Sequence, residues 1–186
     1  MAENKSGRSA GPLDAVLLRV AMGERAAFEE LYRRTCTKLF GLCLRIVNER
    51  QEAEDVLQEA FLAVWRQAGA FDPARGTAMT WLITLTRNRA IDRLRRRGRL
   101  ASAPIELAEA LPDDAPDAEA RVLAQSDAER LAYCLARLEE GDAGLLRSAF
   151  FEGATYAELA ERAARPLGTI KSRIRRALIG LRGCMA

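Results

Sequence analysis

Between Ala101 and Ala120 the chain carries Pro104, Pro112 and Pro116 among Glu106, Glu109, Asp113, Asp114, Asp117 and Glu119, with no basic residue. Proline removes backbone donors, the like charges repel one another, and little in the segment repays burial, so the stretch reads as a flexible acidic linker. Whatever folds must fold on either side of it. The chain has 186 residues, 49% hydrophobic and 30% charged, which is enough apolar material for two small cores under charged surfaces.

Both flanks read as helical. Only Pro12 and Pro73 interrupt the first hundred residues, Ala, Leu, Arg and Glu dominate, and no alternating strand pattern is visible. Leu13, Val16, Leu17 and Val20 recur at helical spacing until Gly23. A long second helix follows with Phe28, Leu31, Tyr32, Leu39, Leu42, Cys43 and Ile46, closed by a turn at Asn48. Ala53, Val56, Leu57, Ala60, Phe61, Val64 and Trp65 form a third apolar stripe, with Trp65 expected in the core. The stripe stops near Gly69, at the loop Ala70-Phe-Asp-Pro-Ala-Arg-Gly76. A fourth helix is expected from about Thr77 through Arg97, burying Trp81, Leu82, Leu85, Ile91 and Leu94. Trp81 could instead serve as a stacking platform for unpaired bases, but its spacing with Leu85 favours packing.

Beyond the linker, Val122, Leu123, Leu131, Leu135 and Leu138 indicate one helix, and Leu145, Leu146, Phe150 and Phe151 another. Thr155-Tyr-Ala-Glu158 has the form of a capping box, so a helix should start at Tyr156 and end near Ala164. The last helix should run from Leu167 through Leu181, with Ile170, Ile174, Leu178 and Leu181 inward. The expectation is an all-α protein of two small helical domains, residues 12–99 and 120–186, joined by an acidic linker over 100–119 and preceded by a mobile leader over 1–11.

The net charge of +3 says little, but charge is unevenly placed. The final helix pair has the length and turn of a helix-turn-helix. Leu167 to Arg182 contains no acid, and Thr169, Lys171, Ser172, Arg173, Arg175 and Arg176 give its polar face the chemistry of major-groove binding. A solvated basic face is the plainer alternative. A second basic run, Arg87, Arg89, Arg93, Arg95, Arg96, Arg97 and Arg99, is opposed only by Asp92. By contrast Glu52, Glu54, Asp55, Gln58 and Glu59 make a surface that repels phosphate, suited to a basic protein partner or simply to solubility.

The chain has no histidine, and Cys36, Cys43, Cys134 and Cys184 lack paired metal-ligand spacing, so no metal and no cofactor is expected. Cys36 and Cys43, seven apart, share a helix face and read as packing residues, with redox sensing the alternative. No Gly-rich phosphate loop or nucleophile with its base is present, which argues against an enzyme. Met1 to Gly11 lacks the apolar core of a signal peptide and no apolar run approaches a bilayer span, so the expected compartment is the cytoplasm.

Four strings carry a resemblance. Asp55-Val-Leu-Gln58-Glu59-Ala-Phe61-Leu-Ala-Val-Trp65, Phe71-Asp-Pro, Thr80-Trp-Leu82 and Arg87-Asn-Arg-Ala-Ile-Asp92 resemble region two of sigma factors. Gly168-Thr-Ile-Lys-Ser-Arg173 with Arg176-Ala177 is similar to region four of the extracytoplasmic-function (ECF) group of the sigma-70 family. The resemblance implies a promoter-specificity subunit of bacterial RNA polymerase. Glu54, Asp55, Gln58 and Glu59 would meet the clamp helices of the largest subunit, and the second domain the flap. Phe71, Asp72, Arg75 and Thr77 would lie in the loop that receives a flipped base of the minus-ten element, and Arg87, Asn88, Arg89, Asp92, Arg93 and Arg96 beside the adjoining DNA. Thr169, Lys171, Ser172, Arg173, Arg175 and Arg176 would read the minus-thirty-five element. The acidic linker would thread through the polymerase, or act only as a tether. An anti-sigma partner and a stress-response role are further implications of the family. The rival expectation is a stand-alone helix-turn-helix regulator. The turn Ala163-Ala-Arg-Pro166 departs from region four, where a Gly or an apolar residue often stands.

Overall fold

The computed structural model describes residues 11–98, 129–139 and 141–185. The leader before Gly11, the acidic linker, Arg99 and the Val122–Leu123 part of the fifth expected helix lie outside the described residues. The chain divides into two compact units, Met1–Glu109 and Ala110–Ala186. Among the described residues every regular element is helical.

Unit 1 contains α1 (Pro12–Ala21), α2 (Arg25–Val47), α3 (Arg50–Gln67), a 3₁₀ turn (Ala68–Ala70) and α4 (Ala78–Gly98). Pro12 opens α1 at a position where a missing amide costs nothing. Asn48 ends α2 in the left-handed conformation at φ 55°, donating its amide to the Leu44 carbonyl at 2.8 Å. Glu49 then caps α3, its carboxylate accepting from the amides of Gln51 (2.8 Å) and Glu52 (2.7 Å). Two residues thus turn the chain between two long helices, which pair antiparallel: the Phe28 ring meets Trp65, and Tyr32 meets Phe61. Leu17, Leu31, Leu39, Val56, Val64 and Leu82 are fully enclosed where α1 to α4 converge, each worth about 1.5–3 kcal/mol of apolar burial.

Two core expectations change. Trp65 is 39% exposed. It sits near the end of α3 opposite the first turn of α2, where the Phe28 ring meets it edge-on (centroids 5.3 Å apart) and part of the indole stays open to solvent. Cys43 is enclosed, and burial pushes its thiol up to about 12, whereas Cys36 is only half-buried.

In unit 2 a helical stretch over 129–136 is followed by α5 (Asp142–Phe151), α6 (Tyr156–Arg162) and α7 (Leu167–Met185). Ala154, Leu159, Ile170 and Ile174 form the core, flanked by Leu145, Leu146, Ala149 and Ala160. The capping box is present: the Thr155 hydroxyl accepts from the Glu158 amide and the Glu158 carboxylate from the Thr155 amide. The inward stripe of α7 is Ile170, Ile174 and Ala177, while Leu178 is 52% exposed. Ala177, three residues after Ile174, shares that buried face, and Leu178, one residue further round the helix, is carried out of it. Cys134 and Cys184 are joined by a disulfide, Cα atoms 5.8 Å apart, which ties the 129–136 stretch to the end of α7.

Candidate nucleic-acid interface

The polar faces of α3 and α4 are not independent surfaces. Arg93 of α4 reaches three carboxylates of α3: its Nη2 lies 3.2 Å from Asp55, its Nε 3.5 Å from Glu52 and its Nη1 3.9 Å from Glu59. Arg97 adds a contact to Glu52 at 3.8 Å. Glu54 is paired along its own helix with Arg50 at 3.0 Å, and Gln58 is exposed beside this cluster. Each such pair is worth only about 0–1 kcal/mol in isolation. Their effect is local: a residue expected at DNA and two expected at a protein partner share one charge cluster. Helical periodicity places each residue on its own helix but carries no sign of this cross-helix pairing.

The connection from α3 to α4 is held at both ends. Phe71 is buried and packs edge-on against Trp81, centroids 6.2 Å apart. Its ring is therefore part of the floor under the loop, and Trp81 is largely engaged in packing. Asp72 folds the loop tip, its carboxylate accepting from the Ala74 amide (2.9 Å) and its carbonyl from the Arg75 amide (3.0 Å), an Asx-type turn. Thr77 caps α4 by accepting the Thr80 amide at 3.0 Å. Asp72 and Arg75 project into solvent from this frame. Along α4, Asn88, Asp92 and Arg96 are exposed and Arg87 and Arg89 half-exposed, outside an inward row of Leu82, Thr86, Ala90 and Ile91.

In α7, Thr169, Lys171, Ser172, Arg175 and Arg176 are all exposed. Arg173 differs. Its guanidinium turns onto Asp142 at the start of α5, with Nε and Nη2 both 2.6 Å from one carboxylate oxygen. Asp142 is buried, and Gly141 before it has φ +85° with the Arg173 guanidinium 3.3 Å from where a Cβ would stand. Asp142 was absent from the residues expected to matter, and nothing in its local sequence marks it. The turn before α7 places Ala164 at φ 47°, the left-handed region where a glycine is commonly found.

Two helical units, one ending in a helix-turn-helix whose last helix presents a basic face and the other carrying a mixed acidic and basic helix pair, have the architecture of a DNA-binding protein. Family models for Sigma-70 region 2 and Sigma-70 region 4 match residues 16–100 and 134–183. The ECF RNA polymerase sigma factor SigK of Mycobacterium ulcerans is 37% identical over 186 residues, covering 96% of each chain, and SigK of Mycobacterium tuberculosis is 37% identical over 179 residues with the same coverage. The chain belongs to the ECF sigma factors of the sigma-70 family, and so to the factors that direct RNA polymerase to promoters. The match runs through both regions, which disfavours a stand-alone regulator. Among solved structures, Rhodobacter sphaeroides SigE in complex with the anti-sigma ChrR is 33% identical, covering 92% of this chain and 99% of that one, with a TM-score of 0.48. No helix among the described residues is long and apolar enough to cross a membrane.

Proposed function

We propose that the two units divide promoter recognition, and that the factor binds and releases without chemistry of its own. The exposed row Thr169, Lys171, Ser172, Arg175 and Arg176, over the buried Ile170, Ile174 and Ala177, carries this reading. It is an amphipathic helix with one face in a core and its opposite face lined by donors, as major-groove reading requires. Arg173 holds this helix in place through Asp142. The loop Phe71 to Ala78 receives a flipped minus-ten base at the exposed Asp72–Thr77 edge. Arg87, Asn88, Arg89, Asp92 and Arg96 follow the adjoining strand. Glu54, Asp55, Gln58 and Glu59 face the clamp helices of core polymerase, with Arg93 inside that cluster, and unit 2 contacts the flap.

The factor acts in the cytoplasm under an anti-sigma protein in a stress response. Exposed apolar side chains, Tyr32, Leu62 and Trp65 in unit 1 and Leu178 and Ile179 in unit 2, support a protein partner on each unit. The test is run-off transcription with core polymerase. The protein alone should bind promoter duplex poorly yet direct specific starts when core is added, and Asp55→Ala with Gln58→Lys should reduce co-purification with core at unchanged helical content. Tight, sequence-specific duplex binding without core, with no stimulation of transcription, would return the reading to a stand-alone regulator.

A further inference from the structure

A hydrogen bond across a large separation in sequence joins α1 to the start of α4. Asp14 is 3% exposed, and its Oδ1 accepts the Ala78 amide at 2.6 Å across 64 residues of sequence. Its Oδ2 accepts the Gly11 amide at 2.9 Å. A carboxylate this deeply enclosed needs compensation, and here it lies between the first turns of two helices, where free amides and the aligned peptide dipoles favour negative charge. Ala78 is itself fully enclosed.

Ala78 is also the residue at which the Phe71–Thr77 loop ends. At its other end the buried Phe71 ring is seated against Trp81, the tip is folded by Asp72, and Thr77 caps the third amide of α4. Asp14 takes the first amide, one that the Thr77 side chain does not bind. Asp14 thus ties the loop's downstream end to α1, in addition to the packing that encloses Ala78.

We infer that Asp14 is a positioning residue for promoter discrimination: by holding the Ala78 amide it sets the span of the exposed Asp72–Thr77 edge, and so which minus-ten base that edge accepts. This rests on the reading of the loop as the minus-ten pocket. Fitted polar sites lose selectivity when their support shifts by a fraction of an ångström, whereas a purely architectural carboxylate would affect stability and leave base preference unchanged.

The experiment is open-complex formation by holoenzyme on templates varied at each minus-ten position, with native protein, Asp14→Ala, Asp14→Asn and the loop variant Arg75→Ala. Asp14→Asn keeps a carbonyl oxygen for the Ala78 amide and should keep native preference with lowered thermal stability. Asp14→Ala should lose about tenfold discrimination at one position, the size of a single mismatch penalty, with unchanged affinity for core. If Asp14→Ala does not fold, Asp14→Ser, which is polar but too short to reach Ala78, takes its place with the same expectation. Native preference at every position in Asp14→Ala or its substitute, while Arg75→Ala alters preference, overturns the role of Asp14 and leaves the loop reading intact. Native preference in Arg75→Ala and both Asp14 variants overturns the two together.

Discussion

Arg173 and Arg176 stand three residues apart on the same basic helix, and their neighbours give them different work. Arg173 spends its guanidinium on the buried Asp142, while Arg176 faces solvent. Arg176→Ala should therefore cost about 1–3 kcal/mol of binding and relax preference at one minus-thirty-five position. Arg182→Ala, near the end of α7, should weaken all sequences alike and lower the salt slope by about 0.9. Titration of holoenzyme with promoter duplexes carrying native or altered minus-thirty-five elements, at several salt concentrations, separates the two outcomes. Arg173→Ala should instead destabilise unit 2 by about 3 kcal/mol, because it leaves a buried carboxylate without its partner. The double variant with Asp142→Ala should cost less than the sum of the singles, as measured by urea unfolding. A uniform effect of Arg176→Ala on all duplexes would make that residue a backbone anchor.

Helix ends make the next predictions. Glu49 caps α3 through the amides of Glu52 and, second, Gln51, which hold its carboxyl below the ordinary 4.5. A carboxyl depressed on folding stabilises the native state above its unfolded value, and that contribution disappears as pH falls through the lower folded value. Glu49→Gln should thus narrow the stability difference between neutral and acidic solution, and thermal unfolding at pH 7 and at acid pH should show the native protein losing more than the variant. At the turn into α7, Ala164 holds a left-handed conformation that a Cβ disfavours. Ala164→Gly should raise the stability of unit 2 by about 1 kcal/mol despite the greater chain entropy of glycine. A loss of stability would mean that the Ala164 side chain contributes packing that outweighs the backbone cost.

For the molecule as a whole, the Cys134–Cys184 bond closes a loop of 50 residues in unit 2, whereas Cys36 and Cys43 of unit 1 are free. Chain entropy assigns such a closure up to about 4 kcal/mol, so reduction should lower the unfolding midpoint of unit 2 and leave unit 1 unchanged. Both tryptophans, Trp65 and Trp81, lie in unit 1. Their fluorescence should follow unit 1 while far-ultraviolet dichroism follows the whole chain, and under reducing conditions the two urea curves should separate. Curves that respond identically to reductant would show that the units unfold as one body.

Helix identity, the helix-turn-helix and the basic face of α7 were legible because they rest on contacts three and four residues apart, which leave a period in the sequence. The capping box at Thr155 is legible for the same reason. Even within this range, ambiguity arose where two apolar residues stood side by side, and Ala177 rather than Leu178 faces the core. The determinants that hold the candidate sites leave no such period. Asp14 with Ala78, Asp55 with Arg93 and Asp142 with Arg173 lie 64, 38 and 31 residues apart. Each pairing exists because helices cross at one angle and register, and that geometry is the sum of many side-chain contacts rather than of any local pattern. The same holds for Trp65, whose apolar stripe says which side of α3 it occupies but not that the bundle ends before covering it. Local spacing settled which side chains share a face; packing of helix on helix decided which charges meet, and so which arginines remain turned toward solvent.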